Sequence, residues 1–193
     1  MKDILFDVLI DIPGLLEDLD NLRLCTDEGT VASMRQDLMQ KCWDCDEQLL
    51  SWFSFLCADR DFCDFPLPQT QDGIVSVVEF ARLEGMVLFW ATCLVLYSTL
   101  RRPEVSSELT SLPERTHPQQ YLGKLVEAIP LLLRPSAGLY GQDAAALPLA
   151  LALTYTSGTA SSSKEHMLLM QNLDKMQGEV VAGLRVMVKS LSP

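Results

Sequence analysis

The residue pattern with the most overt chemical capacity is Cys42-Trp43-Asp44-Cys45, a CxxC spacing that can hold half of a zinc site or form a redox-active dithiol. A structural zinc needs four ligands, and no second CxxC or histidine pair supplies the other two, so no metal is expected. Both thiols also fall on an apolar helical stripe, Met34, Leu38, Cys42, Cys45, Leu49, Trp52 and Leu56, spaced by three or four throughout. Free cysteine packs as a small hydrophobe, and core thiols are the reading preferred here. The chain has six cysteines, with none placed to suggest a secreted disulfide framework, and they read as reduced thiols.

The remaining catalytic vocabulary is thin. Two histidines, His117 and His166, are too few for a histidine-based metal site, and no nucleophile-elbow pattern accompanies a serine. Gly138-Leu139-Tyr140-Gly141 is too sparse for a phosphate loop and follows no strand pattern, so glycines of a helix turn explain it. Glu79 and Glu84, five residues apart, lie roughly 140° around a helix and do not form a carboxylate pair. Glu84 is kept as a weak catalytic candidate with Trp90 and Tyr97. Aromatic and polar residues on apolar helices could line a cavity for an unsaturated ligand: Trp43, Trp52, Phe55, Trp90, Thr92, Tyr97, Tyr140 and Tyr155. Each is equally suited to an ordinary core. No cofactor is implied.

The elements that position these residues are helical. Ile4, Leu5, Val8, Leu9 and Ile12 share one helix face, which Pro13 is expected to break or restart before a second run from Leu15 to Leu24. The Met34 to Leu56 stripe predicts a long helix from Val31, capped by Asp27 or Thr30, that ends in a loop from Asp59 to Gly73. Residues 74–101 predict the central helix, with no charge between Gly85 and Leu100. That stretch is just short of a membrane span, and Glu84 and Arg101 bracket it, which favours a helix buried by its neighbours.

Tyr121 to Leu133 reads as a shorter helix ending or kinking near Pro130. Ala144 to Tyr155 is an apolar run carrying Pro148, and Gly158 to Ser163 a small-residue linker or helix start. A repeat by three and four from Leu169 to Leu191 predicts a long final helix. No strict alternation appears, so the fold class is all-α: a single domain over 1–193, a multi-helix bundle around the central helix.

Composition limits the partners. With 26 acidic against 15 basic residues the formal net charge is -11, which repels phosphate backbones and anionic headgroups, so neither direct nucleic-acid nor membrane binding is expected. The start, Met1-Lys2-Asp3-Ile4, reads as amphipathic helix rather than a signal peptide, and the chain is expected in the cytoplasm or nucleus.

Several ordered segments resemble a known family. Ile12-Pro13-Gly14-Leu15-Leu16, then Cys42-Trp43 through Leu49-x-x-Trp52, then Phe89 through Arg101, then Gly141-Gln142 through Pro148-Leu149 are similar to the C-terminal regulatory half of fungal zinc binuclear-cluster transcription factors. The resemblance implies a helical region responding to effectors and contacting other regulators. The six-cysteine DNA-binding motif of that family is absent here, and DNA recognition does not carry over.

Two functional expectations follow. One is a stand-alone pocket for a hydrophobic metabolite of fungal specialised metabolism, acting as a cofactor-free cyclase that needs little more than preorganisation of its substrate. The alternative is an effector-binding or protein-interaction module of a regulator. A homodimer is compatible with either.

Overall fold

The structure is a computed structural model and describes residues 2–56, 77–106, 112–159, 164–177, 182–183 and 185–186. Six α-helices and no strand occur among them: α1 Lys2–Leu24, α2 Glu28–Leu56, α3 Val77–Leu100, α4 Pro118–Leu132, α5 Gly138–Thr159 and α6 Lys164–Lys175. The all-α expectation holds. The predicted loop from Asp59 to Gly73, with Cys57 and Cys63, lies outside the described residues.

Contacts gather into two units. The first comprises residues 1–65 and 95–118, the second residues 66–94 and 119–193. α3 contributes to both, its residues through Leu94 to the second and Val95–Leu100 to the first.

In the first unit α1 and α2 form an antiparallel hairpin joined by Cys25–Asp27. The buried residues of α1 are Leu5, Val8, Ile12, Leu15, Leu19 and Leu22, and those of α2 include Leu38, Cys42, Cys45, Leu49 and Trp52. Both sets alternate steps of three and four, the spacing at which side chains of one helix fill gaps on another. Each buried Leu or Ile contributes about 1.5–3 kcal/mol. The turn is closed by Asp27, whose Oδ2 accepts from the Thr30 backbone N–H at 2.8 Å and the Thr30 hydroxyl at 2.6 Å. These bonds to Thr30 hold the Asp27 carboxyl below its ordinary range.

Pro13 does not break the first helix, contrary to the sequence expectation. α1 runs through it. A helical proline leaves the carbonyl of Leu9 without an amide partner, yet Pro13 is exposed while Ile12 and Leu15 are buried in the seam on either side. Packing on both flanks outweighs the local cost. Pro130 and Pro148 likewise stand inside α4 and α5.

α3 is buried nearly all round, from Leu83 to Leu100, with 72% of its most apolar window enclosed. Length and composition alone would let it cross a membrane. Three of its hydroxyls are absorbed by its own backbone: Thr92 donates to Leu88 O at 2.9 Å, Ser98 to Val95 O at 2.8 Å and Thr99 to Val95 O at 3.0 Å.

In the second unit Gly138 has φ 57° at the end of a 3-10 turn, Pro135–Ala137, a conformation that favours glycine. Gly141 sits against the Leu132 carbonyl, where a Cβ would collide with backbone and lie 2.6 Å from Ala137 Cβ. The long final helix is corrected. α6 stops at Lys175, and Arg185 Nη2 reaches the carbonyls of Leu173 at 3.2 Å and Met176 at 3.0 Å. A guanidinium meeting the terminal carbonyls supplies the donors that a continuing helix would have provided.

Gly14→Ala should raise unfolding free energy by about 0.5–1 kcal/mol, because a helical glycine carries that entropic cost and a Cβ there meets nothing within 4 Å. Gly141→Ala should lower it. Urea titrations of the two variants against wild type decide both signs.

Candidate functional site

The most organised polar constellation in the first unit centres on Asp46, which is 3% exposed. Tyr97 on α3 donates its hydroxyl to Asp46 Oδ1 at 2.6 Å. Arg115, in the 3-10 turn Glu114–Thr116, donates from Nη2 to Asp46 Oδ2 at 2.7 Å. The Arg115 guanidinium also lies over the Trp43 ring, 5.9 Å from its centroid. Three elements thus meet on one buried carboxylate, and both of its oxygens are engaged.

A second arginine holds the same turn. Arg101 donates from Nε to Thr116 O at 2.8 Å, and from Nη2 to Thr116 Oγ1 at 2.9 Å and Pro113 O at 3.2 Å. The doublet Arg101-Arg102 is therefore used, in its first member, to fasten the chain that leaves α3. This network is architectural chemistry: charge-assisted bonds inside a low-dielectric core are strong, and a carboxylate with a donor on each oxygen is poorly placed as a general base.

The sequence-predicted residues separate into three groups. Trp52, Trp90, Thr92 and Tyr97 are 3%, 0%, 1% and 0% exposed. Trp43 and Tyr155 are half-buried. Phe55 and Tyr140 are exposed. Trp43 and Tyr97 are brought together around Asp46 and Arg115. Glu84 is met by Tyr140, whose hydroxyl donates to Glu84 Oε2 at 3.1 Å, and the Tyr140 ring lies 5.4 Å from that of Phe80. This cluster, in the second unit, is at the protein surface.

Cys42 and Cys45 are free thiols on the α1–α2 seam. Burial, reinforced by Cys45 and Asp18, pushes the Cys42 thiol up to about 12; burial, with Asp11 and Asp44, pushes Cys45 up to about 11. Nucleophilic or metal-binding cysteine needs the thiolate, so both are poor reagents. No group of three or more His, Cys, Asp or Glu side chains able to hold a metal occurs among the described residues.

Thr156 and His166 share a hydrogen bond at 2.8 Å between Oγ1 and Nδ1. Thr156 is 1% exposed and its hydroxyl also lies 3.1 Å from the Ala152 and Leu153 carbonyls. The pair ties α5 to α6 and gives no nucleophile a substrate can reach.

A half-open groove of about 460 Å³ runs between α1 and α2 and carries Asp11, Glu17, Asp18 and Asp44 with Lys41 and Gln48. Lys41 is paired with Asp18 at 2.7 Å, which raises the lysine above its ordinary range. None of the eight aromatic and polar candidates lines this groove.

Sequence reasoning missed Asp46 and Arg115. Asp46 had a signal: it stands four residues after Cys42 and three before Leu49, so an acid occupies the apolar face. Arg115 had none, because it lies in a proline-punctuated connection without periodicity. In comparison with known proteins, no family model matches the chain, and neither a curated protein nor a solved structure shows significant similarity to it.

Tyr97→Phe should cost about 1.5–3 kcal/mol, the range for a hydrogen bond to a charged group. Arg115→Leu should cost about 3 kcal/mol by leaving a buried carboxylate without its cation. The double variant should differ from the sum of the two, since both act on Asp46. Equilibrium urea unfolding measures the coupling, and strict additivity would exclude a shared network.

Raised thiol values give a second expectation. Below about pH 9 the folded and unfolded thiols are both protonated and the stabilisation is fully present. As pH rises towards 11 the unfolded chain loses protons that the folded chain retains, and stability falls. Cys42→Val should flatten this decline by up to about 1.4 kcal/mol per pH unit, the value for one proton. Native alkylation at pH 8, mapped by mass spectrometry, should leave Cys42 and Cys45 unmodified until denaturant is added.

Proposed function

We propose that the chain is a protein-interaction module of a transcription regulator, the class that its ordered motifs resemble. One observation carries this reading. Trp52, Trp90, Thr92 and Tyr97 expose no more than 3% of their surface, so they offer almost no face to a ligand. Two of their polar groups serve the protein: Thr92 bonds its own helix and Tyr97 bonds Asp46.

A helical module whose central aromatic residues are buried by their neighbours works through its surface. Here that surface belongs to a chain of net charge -11. Such a field disfavours contact with DNA phosphates and favours basic segments of other proteins. The cyclase expectation requires the same aromatic side chains to face a substrate, and for that reason it is placed second.

The test is a tethered reporter. The full chain is fused to an unrelated DNA-binding domain, and transcription from a promoter carrying that domain's site is measured. Activation or repression relative to the DNA-binding domain alone is expected. An unchanged reporter sinks the reading. A parallel thermal-shift screen against hydrophobic polyketide- and terpene-like compounds addresses the cyclase. A stabilisation that grows with the logarithm of ligand concentration, reaching about 2.7 kcal/mol at one hundred times Kd, would reinstate a metabolite pocket.

A further inference from the structure

α1 carries two stripes with the spacing of a coiled coil, and among the described residues one is buried and the other exposed. The inner stripe is the Leu5 to Leu22 seam against α2. On the outer side Phe6, Ile10, Pro13, Glu17, Asp20 and Leu24 follow one another at steps of four, three, four, three and four, and all six are exposed; Glu17 also borders the groove between α1 and α2. Phe6 is 46%, Ile10 73% and Leu24 80% exposed. At 3.6 residues per turn Phe6 and Leu24 lie in line, so the stripe is straight and about 27 Å long.

A helix that faces water on its outer side normally carries polar residues there, with no reason to keep heptad phase. Here the stripe carries Phe6, Ile10 and Pro13 at one end, Leu24 at the other, and two carboxylates between. Asp20 meets Arg23 at 3.4 Å, but this is an exposed i,i+3 pair that is worth little and that a partner cation can displace.

Resting on the interaction-module reading, we infer that the outer stripe of α1 docks a basic amphipathic helix of a partner protein, which packs apolar residues on Phe6, Ile10 and Pro13 and sets Lys or Arg against Glu17 and Asp20. Charge selects this occupant. A second copy would bring its own Glu17 and Asp20 and a net charge of -11 to the interface, and an anionic lipid surface would meet the same repulsion. A cationic helix gains attraction at both carboxylates while it covers the apolar end.

The probe is a synthetic helical peptide with Leu in its heptad seam and Lys at the flanking positions, labelled for fluorescence anisotropy and titrated with the full chain. An otherwise identical peptide with Glu for Lys, phosphatidylserine vesicles and light scattering of the chain alone complete the set. The basic peptide should bind, and added salt should weaken it. Ile10→Ser should reduce affinity about tenfold, as loss of a central aliphatic anchor does. Glu17→Lys with Asp20→Lys should shift preference to the acidic peptide, and this holds as an independent readout whatever Ile10→Ser does to folding.

Equal binding of both peptides, insensitivity to these substitutions, binding to the vesicles, or dimerisation abolished by Ile10→Ser would each overturn the inference. The two readings fail separately. A reporter that responds to the wild-type chain and equally to Ile10→Ser rejects the docking face alone. Peptide binding with a silent reporter rejects the regulator reading alone.

Discussion

The Asp46 carboxylate is the constraint around which the first unit is assembled. A charge taken out of water must be met by donors in fixed positions, and here a tyrosine on α3 and an arginine on the following turn meet it from two sides. Neither donor is local to Asp46 in sequence. The interaction therefore specifies which part of α3 lies beside α2 and which face of the Glu114–Thr116 turn points inward, a choice that apolar contact leaves loose because hydrophobic burial has no direction. Arg101 strengthens the arrangement by holding the Thr116 and Pro113 carbonyls.

Around that network the thiols and aromatic residues acquire their roles. The CxxC is a segment of a heptad seam, and its spacing of three reflects helix periodicity rather than ligand geometry. Desolvation then makes both thiols harder to ionise, so the motif that looks most reactive in the sequence belongs to the least reactive surroundings. Trp90 and Tyr97 follow the same rule. Complete burial turns residues suited to ligand stacking into packing elements, and chemical capacity counts only where a substrate can arrive.

The second unit shows a different economy of residue choice. Gly141 is required by the close approach of the Leu132 carbonyl, and Gly138 by its positive φ. Hydroxyls and amides there serve as fasteners between helices: Thr156 with His166 joins α5 to α6, and the Gln142 side chain accepts from the Gln177 amide at 2.7 Å. These polar side chains thus join helices without forming a reactive centre.

Periodicity is a property of one chain segment, and whatever depends on it was legible in the sequence: the all-α class, the α2 stripe from Leu38 to Trp52, the burial of α3, and the capping of α2 by Asp27. The continuity of α1 through Pro13 was not legible, because the proline penalty is local while the packing that offsets it comes from α2. Nor was the stop at Lys175, which Arg185 stabilises from beyond the helix. The Asp46 network lay out of reach for the same reason: its members are 51 and 69 residues apart, and pattern within a window carries no information about which distant donor a buried carboxylate will find. Tertiary structure alone decided that Trp52, Trp90 and Tyr97 are closed while Phe55 and Tyr140 are exposed, and that the outer stripe of α1 is open.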